Sequence, residues 1–433
     1  MNIRKITLCV IAAALWCSVV SAQSFSGRLF SSVYTWEREI FGVSQQKNIQ
    51  AYNGAVLHVN GISGRDISFH TYARLSNTFG DADFEAKNKL YNAYFEWKNI
   101  ADKFDLSVGR HFIWAGVGNG TIDGAKVEYN LKKWGKAGIY AGSLTPLRES
   151  WKVDSWAESH MIGAFYKARL YDTDMQVSWV KKDRDPVEYA MPGRYSERII
   201  STSGLRANLA GIDVAKSITD KVRLYLKTEA SLYDNGDSFL PKTIELDRFE
   251  VSSDYTPMQK LTVSAQYFYR NPHQNLNSIF SVFSQSSNQE FWVNVYYRPL
   301  LNYTVYGGWA LVKMENDETN RFNIGFSSLY FSVGGQKFSG YSGEYDNMYL
   351  SSQYPVFENI WLKGSISAGR YKLYDTAADY NNLVTSSAGL TYKPRPSITF
   401  DIEGQGVRNE INKTDYRLFG RFNYWFFYRN TNR

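Results

Sequence analysis

The ten residues ISFHTYARLS, Ile67 to Ser76, decide the fold class of this chain. Apolar or small residues alternate with polar or larger ones along the whole stretch. Successive side chains of a β-strand point to opposite faces of the sheet, so a period of two indicates a strand with one apolar face. The apolar phase is Ile67, Phe69, Thr71, Ala73 and Leu75, and the other phase is Ser68, His70, Tyr72, Arg74 and Ser76.

The same alternation recurs along most of the chain, in segments of about ten residues separated by turn residues. One face of nearly every segment is apolar or small, and the other is polar. The clearest further segments are Tyr91 to Lys98, Gly124 to Leu131, Ile162 to Leu170, Val222 to Leu232, Leu261 to Tyr269, Phe291 to Tyr297, Ile360 to Ala368 and Tyr416 to Phe426.

The links between these segments tend to alternate between short and long. Asn99 to Lys103 is a short link and Thr78 to Asn88 a long polar one, which is the arrangement of outer-membrane barrels. The sequence therefore predicts an all-β, transmembrane, antiparallel up-and-down β-barrel with an even number of strands, 18 to 22. The fullest division gives 22, with Phe322 to Gly340 the least certain region. A soluble propeller or sandwich is the alternative, because alternation also serves sheets with apolar interiors.

The first 22 residues have the pattern of a secretory signal peptide. A basic start at Arg4 and Lys5 precedes an apolar stretch, and Val20-Ser21-Ala22 suits cleavage before Gln23. We expect residues 1–22 to be this signal peptide and residues 23–433 to form a single barrel domain in the cell outer membrane. Cys9 and Cys17, the 2 cysteines, both lie in the leader, so the exported part would have no disulfide and no thiolate chemistry.

Composition excludes several other classes. Aromatic residues make up 16% of the chain, charged residues 21%, and the mean hydropathy is −0.39. Disorder requires few aromatics, and after the leader no run of about 18 apolar residues could form a spanning helix. The 49 Lys and Arg against 42 Asp and Glu are spread along the chain, whereas a nucleic-acid site needs a concentrated basic patch.

One segment resembles a known family. The run LSVGRHF, Leu106 to Phe112, leads through Gly118-Asn119-Gly120 into IDGAKVEY, Ile122 to Tyr129. This run is similar to the strand, loop and strand of porin-like outer-membrane channels, including the alginate-export type. The aromatic strand Tyr416 to Tyr428 resembles the C-terminal assembly signal of such barrels, although the polar tail Arg429 to Arg433 departs from it. The resemblance implies a channel and leaves its solute open.

The glycine-rich link after Arg110 is the first candidate constriction. Gly116, Gly118 and Gly120 would make the link compact enough to fold into the barrel, with Arg110 or Asp123 at its base. The alternative is an ordinary hairpin with an arginine at the membrane rim. The loop Asn271 to Asn288, with several apolar residues among serines, is the second candidate constriction.

Basic residues dominate the polar phase of the clearest strands. If the apolar phase faces lipid, this phase lines a pore, and rings of cations favour anionic solutes. The alternative is a set of ion pairs without net selectivity. The predicted pore-lining or constriction residues are Arg74, Arg110, Asp123, Lys126, Lys167, Arg169, Arg206, Arg223 and Lys227; Lys98, Lys182, Arg417 and Arg421 share the phase.

Enzymatic and metal chemistry find little support in the sequence. The five histidines are scattered, and no Gly-x-Ser-x-Gly or His-Glu-x-x-His element occurs. Ser68 and His70 lie on one strand face and leave a lipid-hydrolysing barrel as a third class. Asp81-Ala82-Asp83 lacks the further ligands of a calcium loop. We expect no catalytic residue, metal or cofactor.

The sequence thus predicts a porin-like channel for passive diffusion of small hydrophilic solutes, anionic or sugar-like ones included. The alternative is a non-conducting outer-membrane barrel for surface-polysaccharide export, assembly or anchoring. Expected partners are outer-membrane lipid and lipopolysaccharide, the solute and the barrel-assembly machinery. A homo-oligomer is left open, and no nucleic-acid partner is expected.

Overall fold

The period-two segments form long antiparallel strands. The structure, a computed structural model, describes residues 24–40, 43–44, 48–79, 88–146, 151–185, 188–192, 197–201, 205–232, 244–271, 288–314, 317–340, 344–372, 379–409 and 415–430. The strands of the main sheet are β1 Ser24–Ile40, β2 Asn48–Asn60, β3 Ile67–Phe79, β4 Lys89–Ile100, β5 Phe104–Ala115, β6 Gly118–Asn130, β7 Lys136–Leu144, β8 Ser159–Leu170, β9 Thr173–Arg184, β10 Leu205–Thr219, β11 Val222–Leu232, β12 Ile244–Met258, β13 Leu261–Arg270, β14 Asn288–Leu300, β15 Tyr303–Lys313, β16 Glu318–Ser327, β17 Phe331–Gly340, β18 Glu344–Phe357, β19 Ile360–Lys372, β20 Asn381–Arg395, β21 Ile398–Arg408 and β22 Asp415–Arg429.

Each strand pairs with its neighbours in the chain, and the last strand pairs with the first. The closing seam runs from Ser24 opposite Arg429 to Arg38 opposite Asp415. These 22 strands form one closed antiparallel barrel, which confirms the predicted fold class at the upper end of the expected range. Closure pairs the first strand with the last, so among the described residues the sheet has no free edge strand of the kind that hydrocarbon could not satisfy.

Short strands and 3-10 turns lie in the connections between the barrel strands. A separate two-stranded antiparallel pair, Glu188–Pro192 with Glu197–Ser201, lies in the connection between β9 and β10. Val43–Ser44 extends the hairpin after β1. The 3-10 turns Ile62–Gly64 and Lys132–Trp134 lie in connections at the end of the barrel where the chain enters and leaves. Within the described ranges, no helix is long and apolar enough to cross a bilayer.

The outer face of the barrel is apolar and exposed. The cross-strand pairs Phe95 with Val108 and Ile139 with Ala164 lie in the phase that points outward. Large exposed side chains share this phase in all parts of the barrel: Phe95, Val108, Ile139, Val177, Ile212, Ile324, Leu350, Ile366, Ile402 and Leu418. Such a surface is stable in contact with lipid tails rather than water.

The inner face is polar. Serine and asparagine side chains follow one another across β17 to β20, where Ser332 bonds Ser351 at 2.7 Å, and Ser365 bonds Ser387 at 2.8 Å. Ion pairs occupy the inner face of β10 to β12, as described below. The predicted pattern of an apolar outside and a polar inside therefore holds except on part of the inner wall of β7 to β9, which is apolar.

Candidate functional site: a hairpin folded into the barrel lumen

A row of three glycines marks the place where the β5–β6 hairpin leaves the barrel wall. Gly109, Gly124 and Gly142 lie opposite one another on β5, β6 and β7. Gly109 has a φ of 121°, a conformation that residues with a Cβ rarely adopt. A Cβ on Gly124 would lie 2.1 Å from the Ala141 carbonyl oxygen, so the strands approach more closely here than other residues allow.

Beyond this row the hairpin is detached from both neighbouring strands. The pairing of β4 with β5 ends at Ala93 and Arg110, and that of β6 with β7 ends at Ile122 and Leu144. From 111 to 120 the two strands of the hairpin pair only with each other, while the Thr121 carbonyl oxygen still accepts from the Thr145 amide at 3.0 Å. They are joined by a turn at Gly116 and Val117.

The tip of the hairpin reaches across the barrel interior to β9 and β10. The Val117 amide donates to Ser178 Oγ at 3.0 Å, and Lys182 Nζ donates to Asn119 Oδ1 at 3.0 Å. Both Ser178 and Lys182 lie in the inward phase of β9, opposite in phase to the exposed Val177. The hairpin therefore folds into the lumen and covers the inner surface of β7 to β10.

A small apolar core holds the hairpin against the wall. From the hairpin, Ile113, Val117 and Ile122 are 1%, 5% and 0% exposed. The wall side of the same cluster consists of Tyr140, Leu144, Met161, Phe165 and Val180. Because these wall residues point into the lumen, where water would otherwise contact them, their burial stabilises the inserted position.

Arg110 and Asp123 form a buried ion pair at the hinge. Arg110 Nε donates to Asp123 Oδ1 and Arg110 Nη2 to Oδ2, each at 2.7 Å, and the two side chains are 2% and 11% exposed. Arg110 also donates to the carbonyl oxygens of Leu90 on β4, at 3.0 Å, and Lys152 in the following long connection, at 2.8 Å. This bidentate pair thus ties the base of the hairpin to the wall on one side and to a loop on the other.

The face of the hairpin opposite to its buried core points away from the barrel wall, toward the lumen. Phe112 and Trp114 alternate with the buried core residues, and they are 56% and 72% exposed. Their rings stack on each other with centroids 6.1 Å apart. An exposed aromatic pair on a lumenal element is available for contact with whatever passes.

The predicted lumenal residues do not all occupy the same kind of place. Cross-strand phase puts Arg74, Lys126, Lys167, Arg169, Arg223 and Lys227 on the inner wall. Arg110 and Asp123 lie at the hinge, buried. Arg206 is a correction: it is opposite Asp183 on the outer face of β10, in phase with the exposed Ile212. It therefore does not line the lumen. The loop Asn271 to Asn288 lies almost wholly outside the described residues, as does the leader.

Carboxylates accompany many of the lumenal cations. Lys227 Nζ lies 3.0 Å from Glu229 and 3.9 Å from Asp213. Lys126 lies 3.2 Å from Glu128. Further inner-wall pairs are Lys98 with Glu96, Arg169 with Asp174, Arg248 with Glu250, Arg417 with Asp415 and Arg421 with Asp401. Among the described residues, Arg74, Lys167 and Arg223 have no carboxylate at salt-bridge distance.

Ser68 and His70, the pair that a lipid hydrolase would use, lie on the inner wall. Ser68 Oγ is 2.9 Å from His70 Nε2, and the other ring nitrogen, Nδ1, is 2.7 Å from His58 Nδ1. A serine–histidine–acid triad places the acid on that second nitrogen, whereas Glu96 lies 3.9 Å from Nε2. The pair also faces away from the lipid. Within the described ranges no group of three metal-ligating side chains occurs.

The apolar wall beneath the hairpin was not predicted from the sequence. A signal for it was present: Met161 beside Ile162 and Phe165 beside Tyr166 make both faces of β8 apolar. A strand that is apolar on both faces is covered on both faces, which here means lipid on one side and the hairpin on the other.

The fold and this site define a class, the transmembrane β-barrel whose lumen is narrowed by an inserted hairpin. No family model and no curated protein matches the chain. Among solved structures, it is similar to OccAB4 of Acinetobacter baumannii, at 10% identity, TM-score 0.43 and coverage of 94% of this chain and 99% of that chain. OpdQ of Pseudomonas aeruginosa gives 12% identity and TM-score 0.43, with 94% and 97% covered. The P pilus usher translocation pore, PapC, is similar at 7% identity and a TM-score of 0.46, with 93% of this chain and 99% of that chain covered. At these identities and TM-scores the likeness says nothing about activity or solute.

Proposed function

We propose that the protein is an outer-membrane channel through which small hydrophilic solutes diffuse passively. The observation that carries the proposal is the closed barrel of 22 strands with a polar inner face and one inserted hairpin. Barrels of about eight strands are filled by their own side chains, those of about 16 to 18 strands leave an aqueous channel, and those of about 22 strands enclose a wider lumen that is open only where no plug fills it. Among the described residues a single hairpin enters the barrel, where it covers the wall of β7 to β10 and would narrow such a lumen without filling it.

The apolar exterior supports a place in the outer membrane. The exposed outward side chains, such as Ile139 at 63% and Ile324 at 67%, are stable next to lipid tails. The predicted signal peptide would supply the export that this location requires. Barrels of this architecture span the bacterial outer membrane.

A mild preference for anions is the finer part of the proposal. Most lumenal cations are neutralised by neighbouring carboxylates, so they add little to the net field in the channel. Arg74, Lys167 and Arg223 have no carboxylate at salt-bridge distance among the described residues, and of the three only Arg223 has a carboxylate, Asp254, directly opposite on a neighbouring strand. Their unbalanced charge would raise the local concentration of anionic solutes.

Single-channel recording of the refolded mature protein in a planar bilayer, under a salt gradient, tests both parts. We expect stable openings and a reversal potential whose sign shows that anions permeate more readily than cations. The triple variant Arg74→Gln, Lys167→Gln, Arg223→Gln should move that potential toward cations.

Lys216→Gln is the matched control, because Lys216 is exposed on the outer face of β10 and should leave the reversal potential unchanged. A correctly folded barrel that never conducts would contradict the channel and favour the alternative of export, assembly or anchoring. A conducting barrel whose selectivity ignores the triple variant would contradict only the anion preference.

A further inference from the structure

The barrel brings together two histidines that are 12 residues apart in the chain. His58 lies near the end of β2 and His70 near the start of β3, and the two are direct cross-strand partners. Both point inward, because Phe69, the neighbour of His70, pairs with the exposed outward residue Phe95. Both side chains are half-buried, so the pair is accessible from the lumen. We call it the histidine pair.

The two rings meet through the same nitrogen atom. Nδ1 of His58 lies 2.7 Å from Nδ1 of His70, a contact that requires a hydrogen on one of the two nitrogens. The other ring nitrogen of His70, Nε2, lies 2.9 Å from Ser68 Oγ and 3.9 Å from Glu96. The negative charge of Glu96 favours the tautomer with its hydrogen on Nε2. The Nδ1 lone pair of His70 is then directed at His58, which supplies the hydrogen between the rings.

His70 has the surroundings of a metal-bound histidine. Histidine ligands usually donate their second ring N–H to a carboxylate or another acceptor, which fixes the tautomer and orients the ring. Here Ser68 Oγ is that acceptor, the Glu96 carboxylate is close by, and the Tyr94 ring stacks on His70 with centroids 5.0 Å apart. These contacts hold Nδ1 of His70 toward His58 before any ligand binds.

The separation of the two Nδ1 atoms favours one coordination geometry. Adjacent ligands of a square-planar or octahedral ion lie about 2.8–2.9 Å apart when each bond is about 2.0 Å long, whereas tetrahedral ligands lie about 3.3 Å apart. The observed 2.7 Å needs to widen only slightly for the first geometry. Tetragonal nitrogen sites are typical of Cu²⁺ and Ni²⁺, and the affinity of such sites for divalent metals is highest for Cu²⁺.

We propose that the histidine pair binds a divalent copper ion on the inner wall of the barrel. Binding is a ligand substitution without a change of oxidation state: two waters leave the hydrated ion, and the Nδ1 lone pairs of His58 and His70 take their places. The hydrogen between the rings moves to Nε2 of His58 or to water. Because no third metal-ligating side chain joins the pair among the described residues, water from the lumen occupies the remaining positions.

Pulsed electron paramagnetic resonance tests the inference without any substitution. The mature barrel is purified without a histidine tag, and one equivalent of Cu²⁺ is added in detergent micelles. We expect one bound ion per chain, with a spectrum that shows two imidazole rings coupled to the copper. Copper that remains hydrated, or that is coupled to a single imidazole, overturns the proposal, because the two histidines then form only a hydrogen bond with each other.

Calorimetric titration with Cu²⁺ assigns the ion to the histidine pair. His58→Gln and His70→Gln should each weaken binding at least about tenfold, since loss of an outer contact alone typically costs about that much. Either variant suffices if the other fails to fold. Glu96→Gln should weaken binding less and keep the two-imidazole spectrum, as expected of a positioning residue. His160→Gln is the matched control, because His160 is in the outward phase of β8, next to the inward Met161. Equal loss in His160→Gln and His70→Gln would overturn the proposal.

The inference does not rest on the proposed function, and the bilayer recordings separate the two. A barrel that conducts but binds copper no better than His70→Gln refutes the metal site and leaves the channel intact. A barrel that binds copper through two imidazoles in micelles but never conducts refutes the channel and leaves the metal site.

Discussion

Arg110→Met should release the hairpin from the wall while leaving the barrel closed. The substitution keeps a long apolar side chain but removes every bond that Arg110 makes. Asp123 would then hold a carboxylate that is only 11% exposed and has lost its bidentate partner. The carbonyl oxygens of Leu90 and Lys152 would each lose a donor. Opening the hinge would hydrate all three groups, so the variant favours the detached hairpin.

The size of the effect follows from burial. Removing one partner of a buried ion pair costs about 3–5 kcal/mol, because the remaining charge stays in a poorly solvated place. Burial of Ile113, Val117 and Ile122 contributes about 4.5–9 kcal/mol in total, before the entropy of ordering the hairpin is subtracted. The loss is thus a large fraction of what holds the hairpin. We expect the detached population to rise by roughly two to three orders of magnitude.

A disulfide tether reports on that population directly. Cys9 and Cys17 both lie in the predicted leader, so an engineered pair would supply the only thiols of the mature protein. Val117→Cys with Gly211→Cys suits the purpose, since a Cβ on Gly211 would lie directly against the Val117 side chain, 2.4 Å from its Cγ1. With Arg110 present, the two engineered cysteines should form their disulfide rapidly, and the single-channel current should show little open-channel noise. With Arg110→Met, cross-linking should slow and open-channel noise should increase until the tether forms.

The double variant Arg110→Met, Asp123→Leu sharpens the test. Replacing both partners of a buried pair by apolar groups removes the uncompensated charge and is often close to neutral. Cross-linking rate and noise should therefore return close to the wild-type values. Wild-type behaviour of the single variant, or equal disturbance in the single and double variants, would refute the role assigned to the pair.

Three further outcomes can be measured. Tyr140→Phe should be neutral or slightly stabilising, because the Tyr140 hydroxyl is buried without a hydrogen-bond partner among the described residues, whereas Tyr140→Ala should cost about 3–5 kcal/mol of stability in urea unfolding. Gly124→Val should block folding, assayed by heat-modified gel migration, since its Cβ would meet the Ala141 carbonyl at 2.1 Å; Gly420→Ala, where a Cβ would meet nothing within 4 Å, is the tolerated control. Replacing residues 112–121 by a short glycine–serine turn should raise single-channel conductance, and unchanged conductance would show that the hairpin does not narrow the pore.

The fold class could be predicted because a local pattern, the alternation of apolar and polar residues within each strand, indicates the strands of the barrel. Alternation of the kind seen from Ile67 to Ser76 separates the apolar face of a strand from its polar face, and turn residues in short and long links that alternate indicate where each strand ends and favour a membrane barrel. The same phase rule placed Lys126, Lys167 and Lys227 on the inner wall. It requires no knowledge of distant contacts. The prediction for Arg206 was wrong, because Arg206 lies in the same phase of β10 as the exposed Ile212 and therefore on the outer face.

Only part of the candidate site could be predicted from the sequence. The glycines around Arg110 indicated an unusual hairpin, but they fitted an ordinary rim hairpin as well as an inward fold. The direction depends on Ser178, Met161 and Val180, which are remote in sequence and cover the hairpin only after the barrel closes. A local pattern carries no information about such contacts.

By itself, the sequence determined a β-rich chain, the period of its strands, the closed barrel and the sign of most lumenal charges, whereas export is a prediction from the leader. These features follow from which side chains suit lipid and which suit water, residue by residue. Tertiary structure alone decided that the hairpin lies inside, that Arg110 finds Asp123 and two carbonyls, and that Lys167 is without a carboxylate partner in the described chain. Each of these depends on the distance between groups on different strands, and barrel closure sets that distance.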